Sequence, residues 1–138
     1  STYAPVDLAD AASARPDVSL LLYPVTTMTA PYLHQGSRDH LLGIDPTRER
    51  IVAYSLQNRI TADTPPTFLL HAMDDEAVPP ENGMMLHAAL REAGVPVEAH
   101  FFQEGGHGFG IRLIQGRPAA IWPELVLAWG RRNGWLSE

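Results

Sequence analysis

TFLLHAMDDEAVPPENGMMLHAALREAGVPVEAHFFQEGGHGFG, residues 67–110, carries the pattern that decides the fold. Its first six residues, TFLLHA, form a short continuous apolar run of the kind found in strands buried on both faces. A turn-rich acidic segment, DDEAVPPEN, follows. Leu86, Ala89, Leu90 and Ala93 then recur at helical spacing, and Gly94 stands where a C-cap glycine belongs. VPVEAHFF (95–102) is a second apolar run, and it empties into EGGHGFG (104–110). Strand, helix and strand in that order predict a parallel pair with a helical crossover.

Moving outward, the same alternation continues. Upstream, VSLLLYPV (18–25) is another apolar run, ending at Pro24 and also read as a strand buried on both faces. Residues 26–45 are predicted as one long irregular stretch, a length that marks lids and binding surfaces. Asp45 as N-cap and Pro46 at the first helical position predict a helix over 46–56. Residues 1–17, alanine-rich and broken by Pro5 and Pro16, read as a loop or frayed helix. Downstream, AAIWPELVLAWGRRNGW (119–135) sets Trp122, Leu125, Val126 and Trp129 on one helical face, and Arg131 and Arg132 suit the dipole at its end. The methionines and tryptophans of the two helices are expected in the core. The predicted class is α/β: a parallel sheet of three strands with flanking helices.

Composition narrows the functions. All ten basic residues are arginine, spread along the chain, and the net charge is −6. Nucleic-acid binding needs a basic face, so none is expected. With no lysine, Schiff-base chemistry has no residue to carry it. No apolar run approaches the ~18 residues that a membrane-spanning helix requires, and no membrane partner is expected. There is no cysteine for a thiolate site.

Ligands of parallel sheets bind beyond the carboxyl ends of the strands. Asp74 and Asp75 lie just past one such end and His107 just past the next. Neighbouring strands are ~5 Å apart, so side chains from the two loops can meet. A carboxylate bonded to one imidazole nitrogen fixes the tautomer and leaves the other nitrogen free to take a proton from a nucleophile. From spacing alone, the acid pair reads equally as a solvated turn, and His107 as a loop histidine among turn-making glycines. His71, His87 and His100 read as packing or surface histidines, with His71 placed to support the Asp75 loop. A metal held by His71, Asp74, Asp75 and His107 is disfavoured, since no paired-histidine helical motif accompanies them. Tyr32, His34 and Arg38 lie where a loop could roof a pocket.

Residues 65–110 resemble the C-terminal part of an α/β-hydrolase, within that superfamily the acetyl-esterase and acetylxylan-esterase-like group. The resemblance rests on the succession of a strand, H-x-x-x-D-x-x-V-P, a helix ending AL-x-x-x-G-V-P, a strand and GGHGF. A weaker likeness extends back to about residue 36 through GSRDHLLG. It implies that Asp75, four residues after His71 and four before Pro79, is the triad acid, with Asp74 its neighbour, and that His107 is the general base. It also implies a serine nucleophile in G-x-S-x-G, ahead of the acid and histidine. This chain departs from the pattern there. Only Ser37 follows a glycine, and QGSRD lacks the second one. The oxyanion-hole motif is missing as well. The expectation is therefore that residues 1–138 form the C-terminal part of a single catalytic domain, the last three strands and their helices, with nucleophile and oxyanion hole upstream of Ser1.

The implied activity is hydrolysis of carboxylic esters, small or on an oligosaccharide, and acetyl esters first among them. No cofactor is expected, and the chain alone should be inactive. Strand 18–23 should be covered by the upstream part or by self-association. The alternative is a non-catalytic α/β binding or scaffold module that lacks the nucleophile; a G-x-S-x-G upstream separates the two.

Overall fold

The computed structural model describes residue 4 and residues 6–137. Three parallel strands, β1 (Ser19–Leu22), β2 (Thr67–Ala72) and β3 (Val97–Phe102), form one sheet in the order β1-β2-β3. Four helices accompany them: α1 (Gln35–Leu42), α2 (Arg48–Tyr54), α3 (Glu81–Glu92) and α4 (Trp122–Arg132). Short 3₁₀ turns lie at Leu8–Ala11, Leu56–Arg59 and Pro118–Ile121. The α/β class and the parallel sheet are as the sequence predicts.

Every residue of β2 is buried, and its alternation divides the core. Phe68, Leu70 and Ala72 face α4 and pack with Phe109, Ile114, Ala119 and Trp129. Leu69 faces α3 and packs with Leu86, Leu90 and Val95. The helical spacing of Leu86 and Leu90 is thus read correctly as a core face, and α3 closes on Gly94 with Val95 N–H donating to Leu90 O and Gly94 N–H to Arg91 O. Trp129 is core, whereas Met84 is exposed on α3.

Other expectations need correction. The stretch 26–45 is not irregular throughout: α1 lies within it, started by the His34 side chain, whose Nδ1 accepts from Ser37 N–H. The next helix begins at Arg48, not at Pro46, because the Thr47 side chain rather than Asp45 accepts from Arg50 N–H. Strand β1 is shorter than the apolar run and is not buried on both faces; Leu20 is 46% exposed, since β1 pairs only with β2.

A buried amide ties the loop after β1 to the loop after β2. Asn82 Oδ1 accepts from Thr26 N–H and Thr27 N–H at 2.9 and 3.0 Å, and its Nδ2 donates to Tyr32 O and Pro79 O at 2.7 and 3.0 Å. Every polar atom of this side chain is satisfied, as burial demands. The segment leaving β1 is therefore fixed against the start of α3 and the acidic loop.

Candidate active site

β2 and β3 run in register from Thr67↔Val97 to Ala72↔Phe102, and Met73 N–H donates to Phe102 O at 2.7 Å. The two chains leave the sheet side by side. Asp74 and Asp75 thereby face the loop that holds His107.

Asp75 folds back on its own turn. Its Oδ1 accepts from Ala77 N–H at 3.0 Å and Val78 N–H at 2.8 Å, a local side-chain to backbone pattern that aspartate makes readily. The carboxylate is buried, and its Oδ2 lies 2.8 Å from His107 Nδ1. An ionised carboxylate only accepts, so the His107 proton sits on Nδ1 and the lone pair on Nε2. The His107 side chain is 37% exposed, and no hydrogen bond from the described residues engages Nε2. The arrangement can orient an imidazole, stabilise its positive charge and offer a free basic nitrogen at the surface.

Asp74 has a different task. Its Oδ1 accepts from Gly105 N–H at 2.8 Å and Gly106 N–H at 2.7 Å, clamping the loop backbone directly before His107. The glycines are what that clamp requires. A Cβ on Gly105 would stand 2.9 Å from the Ala72 Cβ and 3.1 Å from the Phe109 ring. Gly106 has φ +66, which favours glycine. The adjacent aspartates thus hold one loop twice, Asp74 by its backbone and Asp75 by its imidazole.

The Asp74 carboxyl is held below its ordinary value. The Gly106 N–H bond is the largest cause; desolvation opposes it, and the Gly105 N–H, its own N–H and the Arg117 guanidinium add to the lowering. The folded form therefore binds a proton less readily than the unfolded one. The stabilisation is complete above the unfolded value, about 3.9 for aspartate, and is lost as pH falls through the lower folded value. In an NMR titration the Gly105 and Gly106 amide protons should keep their hydrogen-bonded shifts to below that ordinary value and then move. Asp74→Asn should remove the transition, and a midpoint at or above the ordinary value would contradict the clamp.

One neighbour was not legible as a site residue. Tyr23, immediately after β1, sets its ring edgewise to His107 at 4.9 Å and to Phe109 at 5.0 Å between centroids. It does so with φ +41, unusual for a bulky residue and a form of strain that clusters at functional sites. Only its position at a strand's carboxyl end could have singled it out. His71 is fully buried and lies against Asp75, as its place before the loop suggested.

The remaining candidates lie elsewhere. His100 pairs with Glu98 at 3.1 Å and packs on Phe68. His34 caps α1, Arg38 reaches Gln35 and Asp39, and the Tyr32 carbonyl serves Asn82. No hydrogen bond joins Tyr32, His34 or Arg38 to Asp75 or His107.

Residues 11–132 match the model of the Prolyl oligopeptidase family. Endo-1,4-beta-xylanase B of Butyrivibrio fibrisolvens is 39% identical over 99 residues, 72% of this chain and 15% of that protein. Acetylxylan esterase of Xylanibacter ruminicola is 36% identical over 101 residues, 70% of this chain and 21% of that protein. Among solved structures, an acetyl ester-xyloside bifunctional hydrolase from Caldicellulosiruptor lactoaceticus superposes with TM-score 0.85 at 37% identity, over 89% of this chain and 44% of that one. The chain thus spans less than half the length of each of these three proteins.

Proposed function

The chain belongs to the prolyl oligopeptidase family, and from that premise we propose that it supplies the acid and the base of a serine carboxylic-ester hydrolase whose nucleophile lies upstream of Ser1. The observation that carries the reading is the 2.8 Å bond from His107 Nδ1 to the buried Asp75 carboxylate, with Nε2 left free. Acetyl esters are the proposed substrates, with acetylated xylan first among them. The similarity to an acetylxylan esterase and to an acetyl ester-xyloside hydrolase supports that choice.

In this mechanism His107 Nε2 takes the proton of the serine hydroxyl as its oxygen bonds to the acyl carbon. The imidazolium, steadied by Asp75, returns that proton to the departing alcohol as the ester C–O bond breaks. Water then attacks the acyl-serine, again losing a proton to Nε2. The Oγ–acyl bond breaks, the serine regains its proton, and the carboxylic acid leaves.

The upstream part has a place to bind. β1 is an edge of the sheet, and an unpaired edge invites a further strand. Apolar grooves flank it: one of about 220 Å³ between Leu21, Ile60, Leu86 and Leu90, and one of about 570 Å³ between Leu22, Phe109, Leu113 and Trp122. We assign both to the upstream part rather than to a second copy of residues 1–138.

The test is labelling of the polypeptide that includes the upstream part with a serine-directed fluorophosphonate, paired with acetate release from acetylated xylan. Labelling at a serine upstream of Ser1 is expected, and its complete absence would overturn the hydrolase reading.

A further inference from the structure

We propose that His71 is a positioning residue of this site, locked with its proton on Nε2, that holds the Asp75 carboxylate in the orientation His107 needs. Its catalytic consequence rests on the hydrolase reading above; its geometry does not.

His71 is the penultimate residue of β2 and is fully buried. Its Nε2 lies 3.0 Å from Val78 O and 3.2 Å from Asp75 Oδ2. Both of those atoms are acceptors, so Nε2 carries the hydrogen and shares it between them. The other nitrogen is the reverse case. Nδ1 is buried and has no partner among the described residues. It lies against α3 at Gly83, where a Cβ would come within 3.1 Å of it and within 3.2 Å of the Phe101 ring. A proton on Nδ1 would have nothing to bond, and no side chain at position 83 could supply an acceptor. The tautomer is therefore set from both ends of the ring.

The consequence appears in the partners of Asp75. An ionised carboxylate offers about four lone-pair sites. Ala77 N–H and Val78 N–H occupy Oδ1, while His107 Nδ1 and His71 Nε2 meet Oδ2. Held only at Oδ1, the group could pivot about that oxygen and let Oδ2 drift. His107 cannot prevent this, because it is the group to be positioned. His71 is the one side chain among the described residues that holds Oδ2 independently of His107, and it does so from a fully paired strand. Its second bond, to Val78 O, fixes the turn that supplies the Oδ1 donors.

His71→Leu removes the donor and His71→Gln replaces it, since a glutamine amide can reach about where Nε2 stands. In the polypeptide that includes the upstream part, the Leu variant should lower kcat by about 10²-fold with KM within about twofold of the unmodified value, and Gln should recover most of the loss. Nitrogen-15 spectra of the unmodified protein should show His71 protonated on Nε2. The His107 Nδ1–H resonance should broaden by exchange in the Leu variant and persist in Gln. These spectra do not depend on turnover. An unmodified protein that fails to label with fluorophosphonate would sink the hydrolase reading, while the spectra would still decide on His71. If the Leu variant does not fold, the tautomer and the Gln variant decide. A proton on Nδ1, a Gln variant that folds but loses the His107 resonance, or a folded Leu variant with unchanged kcat and resonance would overturn the proposal.

Discussion

Replacing Asp75 by asparagine, in the polypeptide that includes the upstream part, is expected to lower kcat by about 10⁴-fold, or about 5–6 kcal/mol of transition-state stabilisation, with KM little changed. The amide oxygen can take the place of Oδ1 and keep the bonds from Ala77 N–H and Val78 N–H, so the turn survives. The amide nitrogen then occupies the position of Oδ2, where it meets His107 Nδ1 and His71 Nε2. A donor now faces two donors. His107 can answer only by moving its proton to Nε2, which turns the free base into a donor pointed at the nucleophile. The neighbouring substitution is the control. Asp74→Asn keeps an oxygen that can accept from Gly105 and Gly106, so its loss should be less than about tenfold. Thermal unfolding of both variants separates chemistry from folding. If Asp75→Asn keeps more than about a tenth of the activity while Asp74→Asn loses most of it, the acid has been assigned to the wrong residue of the pair.

The elements legible in the sequence are those whose signal is local. β2 is apolar at four of its six positions, with Thr67 at its start and one buried histidine near its end, and a short buried run of that kind leaves little choice. α3 announces itself through Leu86, Leu90 and Gly94. The meeting of Asp75 and His107 follows from topology, because parallel neighbours in register must release their loops at the same end. What escaped is set by distant partners. α1 shows no apolar stripe; it is a polar helix capped by His34 and preceded by a loop pinned through the Asn82 amide, fifty residues from Tyr32. The start of α2 depended on which of two caps on either side of Pro46 wins, and Thr47 prevails over Asp45. Tyr23 carries no motif at all. Its ring contact depends on where the glycine loop places His107, which no local pattern encodes. The tautomer of His71 depends on Gly83, a glycine that sequence reading passes over as a helix interior residue.

Residues 1–138 by themselves are expected to show no saturable ester hydrolysis. The chain contains an oriented imidazole, but to act as a base it needs a nucleophile held within hydrogen-bond reach. Of its six serines, none stands in G-x-S-x-G, and the one that follows a glycine, Ser37, spends its hydroxyl on His34 at 2.9 Å. Without an upstream serine the covalent route is closed. Without aligned donors for the developing oxyanion, each missing donor costs about 3–4 kcal/mol more. What remains is an exposed imidazole, whose effect on an activated acetate should rise linearly with substrate and match that of free imidazole at equal concentration. Adding the upstream part as a separate chain should cover the β1 edge and both grooves, and saturable turnover should appear together with a rise in thermal stability. The control is the same mixture carrying His107→Ala, which should associate and stabilise equally yet remain inactive. Saturable hydrolysis by pure residues 1–138, abolished by His107→Ala, would mean that a nucleophile within this chain serves the site, and the upstream assignment would fall.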